Sequence, residues 1–190
     1  MLFQLVQIVY WLALSMWFGG AIFIWVAVQV IHRTVRQNNP LLPHVLSVNL
    51  EGQHSTLLAG TIVGNLILAL SRIEIACAAL LLLAIGSQWT LIDLSDPAVK
   101  TSAFLRSFFF VGATLVVIYD GWFLWPRILK TRQTFIDNAD DPDKANPENE
   151  KLDKLQRDSE MLLMVLVFFL LGIILFSGNI HRPITFRSGE

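Results

Sequence analysis

A carboxylate lies inside one of the long apolar stretches of this chain. Asp120 stands near the end of the stretch 103–125, where almost every neighbour is apolar. A charge at such a depth must be shielded from lipid, paired with an opposite charge or have a functional role. The partner that we predict is Arg72, and Arg127 shares the helix face of Asp120 seven residues on. Three roles stay open: an ion pair that joins two helices, an ion or proton site, and snorkelling of the carboxylate to the membrane surface.

Five polar residues are expected at the same half of the membrane as this carboxylate. They stand at or near the ends of apolar stretches: Gln29, Arg72, Glu74, Asp120 and Arg127. Groups of this kind tend to pair with one another in preference to facing lipid. We therefore predict a polar membrane cluster that stabilises the cytoplasmic half of the protein.

Histidines offer a different chemistry, that of a metal or redox protein. His32, His44 and His54 would all fall on the same side of the membrane. Their spacing matches no compact metal signature such as two histidines one helical turn apart, and no histidine lies clearly inside a span, as haem ligation would require. The single cysteine, Cys77, lies in an apolar run and is expected to be a small buried side chain.

Composition decides the class of protein. The chain has 190 residues, of which 54% are hydrophobic and only 15% are charged; soluble domains carry about 25% charged residues. Mean hydropathy is +0.57. The net charge is −1, so the chain lacks the excess of positive charge that is typical of nucleic-acid-binding proteins. There is no Ser-His-Asp order, Walker loop or GxGxxG motif. These observations predict a membrane protein without nucleic-acid binding and favour a non-enzymatic role.

Four stretches are long and apolar enough to cross a bilayer, which takes about 20 residues. We predict the spans 5–31, 73–92, 103–125 and 159–177. The predicted fold is all-α: a single integral membrane domain, 1–190, built as a four-helix transmembrane bundle with an additional interfacial amphipathic helix after the first span.

The segment before the second span allows two interpretations. In one, a single helix crosses the membrane over 57–85, with Arg72 and Glu74 near its middle. In the other, an interfacial helix covers 45–70 and the span is 73–92, which places both charges at the membrane boundary. Two charges at bilayer depth cost several kcal/mol, so we favour the second interpretation.

A hydrophilic segment separates the last two spans. Residues 135–152 are rich in Asp, Asn and Pro, and the core 137–150 has no apolar residue larger than alanine. Such a composition buries too little to order itself. We therefore predict a flexible linker, and since it lacks the glycine of a calcium-binding loop we do not expect calcium there.

The distribution of Lys and Arg predicts the orientation. With four spans, ten of the fourteen basic residues fall in or beside the connections 32–72 and 127–158, and four fall on the side of the termini. An excess of Lys and Arg marks the cytoplasmic side. We therefore expect an inner (plasma) membrane protein whose two connections are cytoplasmic and whose termini lie outside.

Short motifs along most of the chain resemble a known family. These are Trp17-Phe18-Gly19-Gly20 in the first span, Ala59-Gly60-x-x-x-Gly64, Trp125-Pro126-Arg127-Ile128 and Leu155-Gln156-Arg157-Asp158-Ser159. Together they resemble the transmembrane protein 205-like family of small bacterial four-helix membrane proteins, although Gln156 stands where that family has histidine. The resemblance implies a four-helix membrane domain without established chemistry. A eukaryotic member is linked to platinum-drug resistance, which implies transport or trafficking.

The function that we predict is that of a non-enzymatic integral membrane protein, either transport-related or an accessory subunit. The alternative is the membrane redox or metal-binding protein that would use the histidines. We expect no cofactor and no nucleic acid. The lipid bilayer is the expected partner, and a homo-oligomer or a membrane-protein partner stays open.

Overall fold

The fold consists of long helices. A computed structural model describes residues 2–36, 53–92, 95–138 and 142–178. In chain order its elements are α1 (Leu2–Arg36), α2 (Gln53–Leu91), α3 (Pro97–Tyr119), a π-helical turn (Asp120–Leu124), α4 (Trp125–Asp137) and α5 (Pro142–Ser177). Because α3, the π-turn and α4 follow one another without a gap, the bundle has four long rods.

Each rod is long and apolar enough to cross a membrane. Within the described residues these segments are Leu2–Ile31, Gly64–Leu91, Pro97–Asp137 and Asp143–Ser177. The outer surface fits lipid, since large apolar side chains such as Trp122 (75% exposed) and Leu175 (74% exposed) point outward. Water-soluble monomers rarely expose contiguous apolar surface on this scale. The predicted all-α four-helix bundle is confirmed, with the character of a multi-pass membrane protein.

The rods pack as two pairs. α1 contacts α2 most extensively and α3 contacts α5, while α1 also contacts α5 and α4 lies against α5. All four rods contribute to the central core, which includes Trp17, Leu81, Phe110 and Leu170, each at most 6% exposed. Cys77 is buried in this core, as predicted.

Two glycines hold α3 and α5 close together. A Cβ on Gly112 would lie 2.5 Å from Cε1 of Phe169, and a Cβ on Gly172 would overlap the ring of Phe109. Each glycine therefore accepts a phenylalanine from the opposite helix. Small residues in membrane helices permit this close approach. Gly20 likewise permits close packing of α1 on α2, although the fit is less tight. A Cβ on Gly20 would lie 3.1 Å from Cδ1 of Leu70.

Residues 53–91 form one uninterrupted helix, which differs from the interpretation that we favoured. The predicted interfacial helix 45–70 and the span 73–92 are joined without a break, while 45–52 lie outside the described residues. The geometry of the helix explains why both charges are accommodated. Arg72 and Glu74 are two residues apart and therefore about 200° apart around the axis. Arg72 is exposed on the outer side, and Glu74 is buried on the inner side.

The predicted linker 135–152 is also largely helical. α4 continues to Asp137 and α5 begins at Pro142. Residues 137–150 lack a large apolar side chain, but Leu152 just after them packs with Leu124 and Ile128. This contact holds the start of α5 against the preceding helix. Apolar burial of this kind outweighs the poor helix propensity of the Asp- and Asn-rich sequence.

Proline accounts for the π-turn. Pro126 has no N–H, and its ring would clash with the carbonyl four residues back, that of Trp122. The chain widens just before the proline, where the N–H of Trp125 donates to the carbonyl of Asp120, five residues back. The helix then continues through Pro126 to Asp137, beyond the predicted end of the span at residue 125. Single π-turns of this kind are frequent at functional sites.

Candidate binding cleft

A cleft opens among the helices at the end of the bundle where α4 lies. Its cavity volume is about 60 Å³. Every helix contributes to its wall, for example Ile24 from α1, Ser71 from α2, Val116 from α3, Leu129 from α4 and Leu163 from α5. The wall is mostly apolar, so its few polar groups determine what the cleft can bind.

Glu74 is the most deeply buried acidic group of this wall. Its side chain is only 6% exposed, and Oε1 has no hydrogen-bond partner within the described part of the chain. The indole N–H of Trp17 lies near this carboxyl group but outside hydrogen-bonding geometry. Leaving a buried carboxyl oxygen unpartnered is costly, and native structures keep few such atoms. Glu74 therefore calls for a functional explanation.

Asp120 brings a second carboxyl group to the same cleft. It begins the π-turn, and its Oδ1 accepts a hydrogen bond of 3.0 Å from Oγ of Ser159 on α5. Ser159 is itself buried. Trp17, Glu74, Asp120 and Ser159 thus bring one polar side chain from each of the four rods to one region of the bundle.

The charges around the cleft are predominantly acidic. Glu160 and Arg132 also line it, which makes three carboxyl groups and one guanidinium with Glu74 and Asp120. Glycine shapes the wall near the guanidinium, since a Cβ on Gly64 would lie 3.0 Å from Cη2 of Trp125. This arrangement can attract a positively charged group and offers apolar surface beside it.

A second polar network lies toward the other end of the bundle. Arg106 is 1% exposed and its Nη1 donates to Oε1 of Gln88 at 2.5 Å. Nε2 of Gln88 donates in turn to Oε1 of Gln7 at 2.8 Å. The guanidinium carbon lies 5.3 Å from the centroid of the Tyr10 ring, a favourable cation–π distance. The hydroxyl of Tyr10 shares a hydrogen bond with that of Ser177.

The structure brings together two of the five predicted cluster residues. Glu74 and Asp120 line one cleft, whereas Gln29, Arg72 and Arg127 are exposed on the outside of their helices. Among the described residues, no ion pair joins Asp120 to Arg72. The predicted pairing is wrong because Glu74, not Arg72, occupies the face of α2 that turns toward Asp120.

The predicted histidine sites cannot be placed in this geometry. His44 and the side chains of His32 and His54 lie outside the described part of the structure. Within the described residues, no group of three or more His, Cys, Asp or Glu residues is arranged to hold a metal ion.

Sequence reasoning missed the second polar network, which surrounds Arg106. The principle that singled out Asp120 applies equally to Arg106, a charged residue beside the apolar run 108–118. A second signal was available in Gln7 and Gln88, which are amides inside apolar stretches. Ser159 and Trp17 carried no comparable signal, because a serine or a tryptophan in a membrane helix is ordinary.

Fold and site together define the class: an all-helical, multi-pass membrane protein with an acidic cleft inside its bundle. No protein-family model, curated protein or solved structure matches this chain.

Proposed function

We propose that this chain is a non-enzymatic integral membrane protein with a transport-related or accessory role, and that its cleft binds a cation. The observation that carries the proposal is the carboxyl group of Glu74, which is 6% exposed and has an unpartnered oxygen in a cleft that also contains Asp120. Ionisable residues inside membrane helices commonly mark ion and substrate sites.

Electrostatics supports a cation over an anion or a neutral solute. Two carboxyl groups close together in apolar surroundings are destabilised when both are charged, and a bound positive charge relieves that repulsion. The serine hydroxyl beside Asp120 is already used as a donor to that carboxylate. An anion would meet three carboxyl groups in the cleft wall and, among the described lining residues, one guanidinium, that of the partly exposed Arg132.

The proposed orientation gives the cleft a location in the cell. With the connections 32–72 and 127–158 in the cytoplasm and the termini outside the plasma membrane, the cleft belongs to the cytoplasmic half. The excess of Lys and Arg near those connections supports this assignment. The resemblance to the transmembrane protein 205-like family forms part of the proposal and rests on the motifs given above.

Binding can be tested with the full chain in lipid nanodiscs. The midpoint of thermal unfolding is measured against a panel of monovalent cations, inorganic and organic, at constant ionic strength. A ligand that binds only the folded state raises this midpoint. We expect at least one cation to stabilise the wild type and to have little effect on Glu74→Gln or Asp120→Asn. Glu150→Gln, which removes an exposed carboxylate from α5, is the matched control and should respond as the wild type does.

An equal response of all four proteins to every cation would refute the proposal.

Orientation is tested separately by cysteine labelling. Asn146 is exposed on α5, and the native Cys77 is buried. Asn146→Cys should resist a membrane-impermeant thiol reagent in intact cells and react after permeabilisation. Ready labelling from outside would reverse the proposed orientation.

A further inference from the structure

We propose that the outward face of α2 binds a transmembrane helix of another protein, one that carries an aspartate or glutamate inside its span. The inference rests on the accessory role in the proposed function and specifies the partner, and it does not depend on the cation site in the cleft. It follows from the juxtaposition of an unpaired arginine and small side chains on a face that the described helices leave uncovered.

Small and polar side chains line the outward face of α2. Six exposed residues, which we call the α2 stripe, follow one another at spacings of three, four or seven positions: Asn65, Ala69, Arg72, Ala76, Ala79 and Gly86. Such spacings keep the residues on one side of the helix, and they form the seam along which two helices pack. The α2 stripe thus has the pattern of a helix–helix contact, although no helix covers it in the described part of the chain.

The third rod shows what a lipid-facing stripe looks like in this protein. Its exposed residues follow the same spacing and are all large and apolar: Phe104, Phe108, Val111, Leu115, Ile118 and Trp122. In membrane proteins, small residues are enriched between helices because they let the backbones approach closely. A Cβ on Gly86 would meet nothing within 4 Å, so this part of the α2 stripe is open to an incoming helix.

Arg72 is the residue of the α2 stripe that fits lipid least. It lies eight positions after Gly64, the first residue of the apolar segment Gly64–Leu91, which corresponds to about 12 Å along the helix axis. Its side chain is exposed, and no hydrogen bond or ion pair joins it to another described residue. Charged residues in membrane spans face the bundle interior or pair with one another. An exposed, unpaired guanidinium at this depth therefore indicates a partner from outside the bundle.

The chemistry of Arg72 selects an acidic partner. A guanidinium presents its N–H donors in a planar fork that matches the two oxygens of a carboxylate. Charge-assisted hydrogen bonds of this kind are about twice as strong as neutral ones. Asn65 adds an amide on the same face, seven positions before Arg72, and can hydrogen-bond to a polar side chain of the same partner helix.

A second copy of this chain fits the α2 stripe poorly. In a two-fold symmetric contact the same patch of each copy faces the other. Two parallel α2 helices would therefore bring the guanidinium groups of both copies together inside the membrane. Like charges in apolar surroundings repel strongly. The charge of the stripe thus favours a different protein with an opposite charge at this depth.

Two synthetic leucine-rich peptides serve as probes. Each has about 22 apolar residues, enough to span a bilayer. One carries a single glutamate and the other a single glutamine, in both cases eight residues from one end, as Arg72 is from Gly64. Binding to the full chain in liposomes is measured by energy transfer between a dye on the peptide and a dye on Asn146→Cys. We expect the glutamate peptide to bind at least about fivefold more tightly.

Variants of Arg72 test whether its charge selects the peptide. Arg72→Gln should remove the preference, so that both peptides bind equally, and Arg72→Lys should retain part of it. Glu74→Gln, which alters a buried carboxyl group on the inner side of α2, is the matched control and should bind both peptides as the wild type does. The midpoint of thermal unfolding verifies the fold of each variant.

The shape of the α2 stripe is tested independently of its charge. Ala76→Phe fills the stripe with a large side chain and should weaken the binding of both peptides about tenfold. Val111→Phe adds a ring to the exposed face of α3 and should leave binding unchanged. Equal effects of the two changes would show that the peptides do not use the α2 stripe, and the inference would fail.

The remaining outcomes are as decisive. The inference fails if the wild type binds both peptides equally, or if the preference for glutamate persists in Arg72→Gln. It also fails if neither peptide binds, since lipid or another part of this chain then covers the stripe. An Ala76→Cys variant that forms a disulfide-linked dimer in liposomes would assign the stripe to a second copy. None of these results changes the cation test, in which stabilisation that Glu74→Gln abolishes would still support the proposed function.

Discussion

The two buried polar regions of this protein each hold a charged group that is only partly satisfied, and they differ in what surrounds it. In the network around Arg106, Nη1 donates to Gln88, which donates in turn to Gln7, and the Tyr10 ring lies beside the guanidinium, while Nε and Nη2 have no partner within the described residues. In the cleft wall, Glu74 is almost as deeply buried, and its Oε1 likewise has no partner within the described residues. Burial alone therefore does not identify a binding site. What distinguishes Glu74 is that its residue lines a cleft together with a second carboxyl group, that of Asp120.

Apolar packing separates the two regions. Asp120 and Arg106 stand fourteen positions apart on the third rod, which corresponds to about 21 Å at 1.5 Å per residue. Between them lie core residues including Trp17, whose ring meets that of Phe110 edge to face at 6.5 Å. The charges thus interact little with each other across the core, and each region can be altered independently.

The largest expected effect tests the network around Arg106. Gln88→Leu keeps the volume but leaves Nη1 of Arg106 without its acceptor. Stability should fall by about 3 kcal/mol, because a buried charged group loses its hydrogen bond. The free energy of unfolding is measured by reversible denaturation in mixed micelles.

The double variant with Arg106→Met is the control for that result. Removing both partners should cost less than the sum of the two single changes, since coupled neighbours deviate from additivity by about 0.5–3 kcal/mol. Strict additivity would show that the two side chains do not act as a network, and the comparison between the two regions would lose its basis.

A second prediction contrasts how tightly the helices pack in the middle of the bundle and in the cleft. Gly112→Ala should destabilise the protein by about 2 kcal/mol, because the added methyl group overlaps the ring of Phe169. Gly64→Ala should cost less, since it meets only the edge of the Trp125 ring at 3.0 Å.

Gly86→Ala, where nothing lies within 4 Å of the new methyl group, should gain about 0.5 kcal/mol from helix propensity. All three are measured as shifts in the midpoint of thermal unfolding. Equal effects of the changes at Gly112 and Gly86 would contradict the close packing of α3 on α5.

A third prediction concerns the cleft and has the opposite sign to the first. Glu74→Gln should raise the free energy of unfolding of the ligand-free protein by about 1 kcal/mol, because it removes a buried carboxyl group that has no full set of partners. Functional sites are often less stable than they could be for this reason. Glu150→Gln should stay within about 0.5 kcal/mol of the wild type. A loss of stability in Glu74→Gln would mean that the carboxyl group serves the fold.

The smallest predicted effects compare the two serines. Ser177→Ala removes the hydrogen bond of a fully buried tyrosine and should cost about 1 kcal/mol. Ser159→Ala removes one bond from Asp120, which is only partly buried, and should cost about 0.5 kcal/mol. Both are measured by the same denaturation in micelles. A larger cost for Ser159→Ala would indicate that Asp120 is as enclosed as Tyr10.

Much of the fold was available from the sequence, because the length and hydropathy of each apolar stretch set its helix. The errors came from local composition. Arg72 and Glu74 suggested a helix boundary, and the polar segment 135–152 suggested a linker, yet helices pass through 72–74 and begin again at Pro142. In both places a few residues decided the result: Glu74 faces inward while Arg72 faces outward, and Leu152 packs on α4.

The sequence by itself determined the helical class, the four apolar rods and the presence of carboxylates within them, since these depend on composition and length alone. Only the tertiary structure decided which polar groups meet. Whether Arg72 or Glu74 approaches Asp120 depends on how α2 is rotated against α3, and whether Arg106 is enclosed depends on where Gln88 and Tyr10 lie on other helices. Helix rotation follows from side-chain packing across the whole bundle, and no local stretch of sequence contains that information.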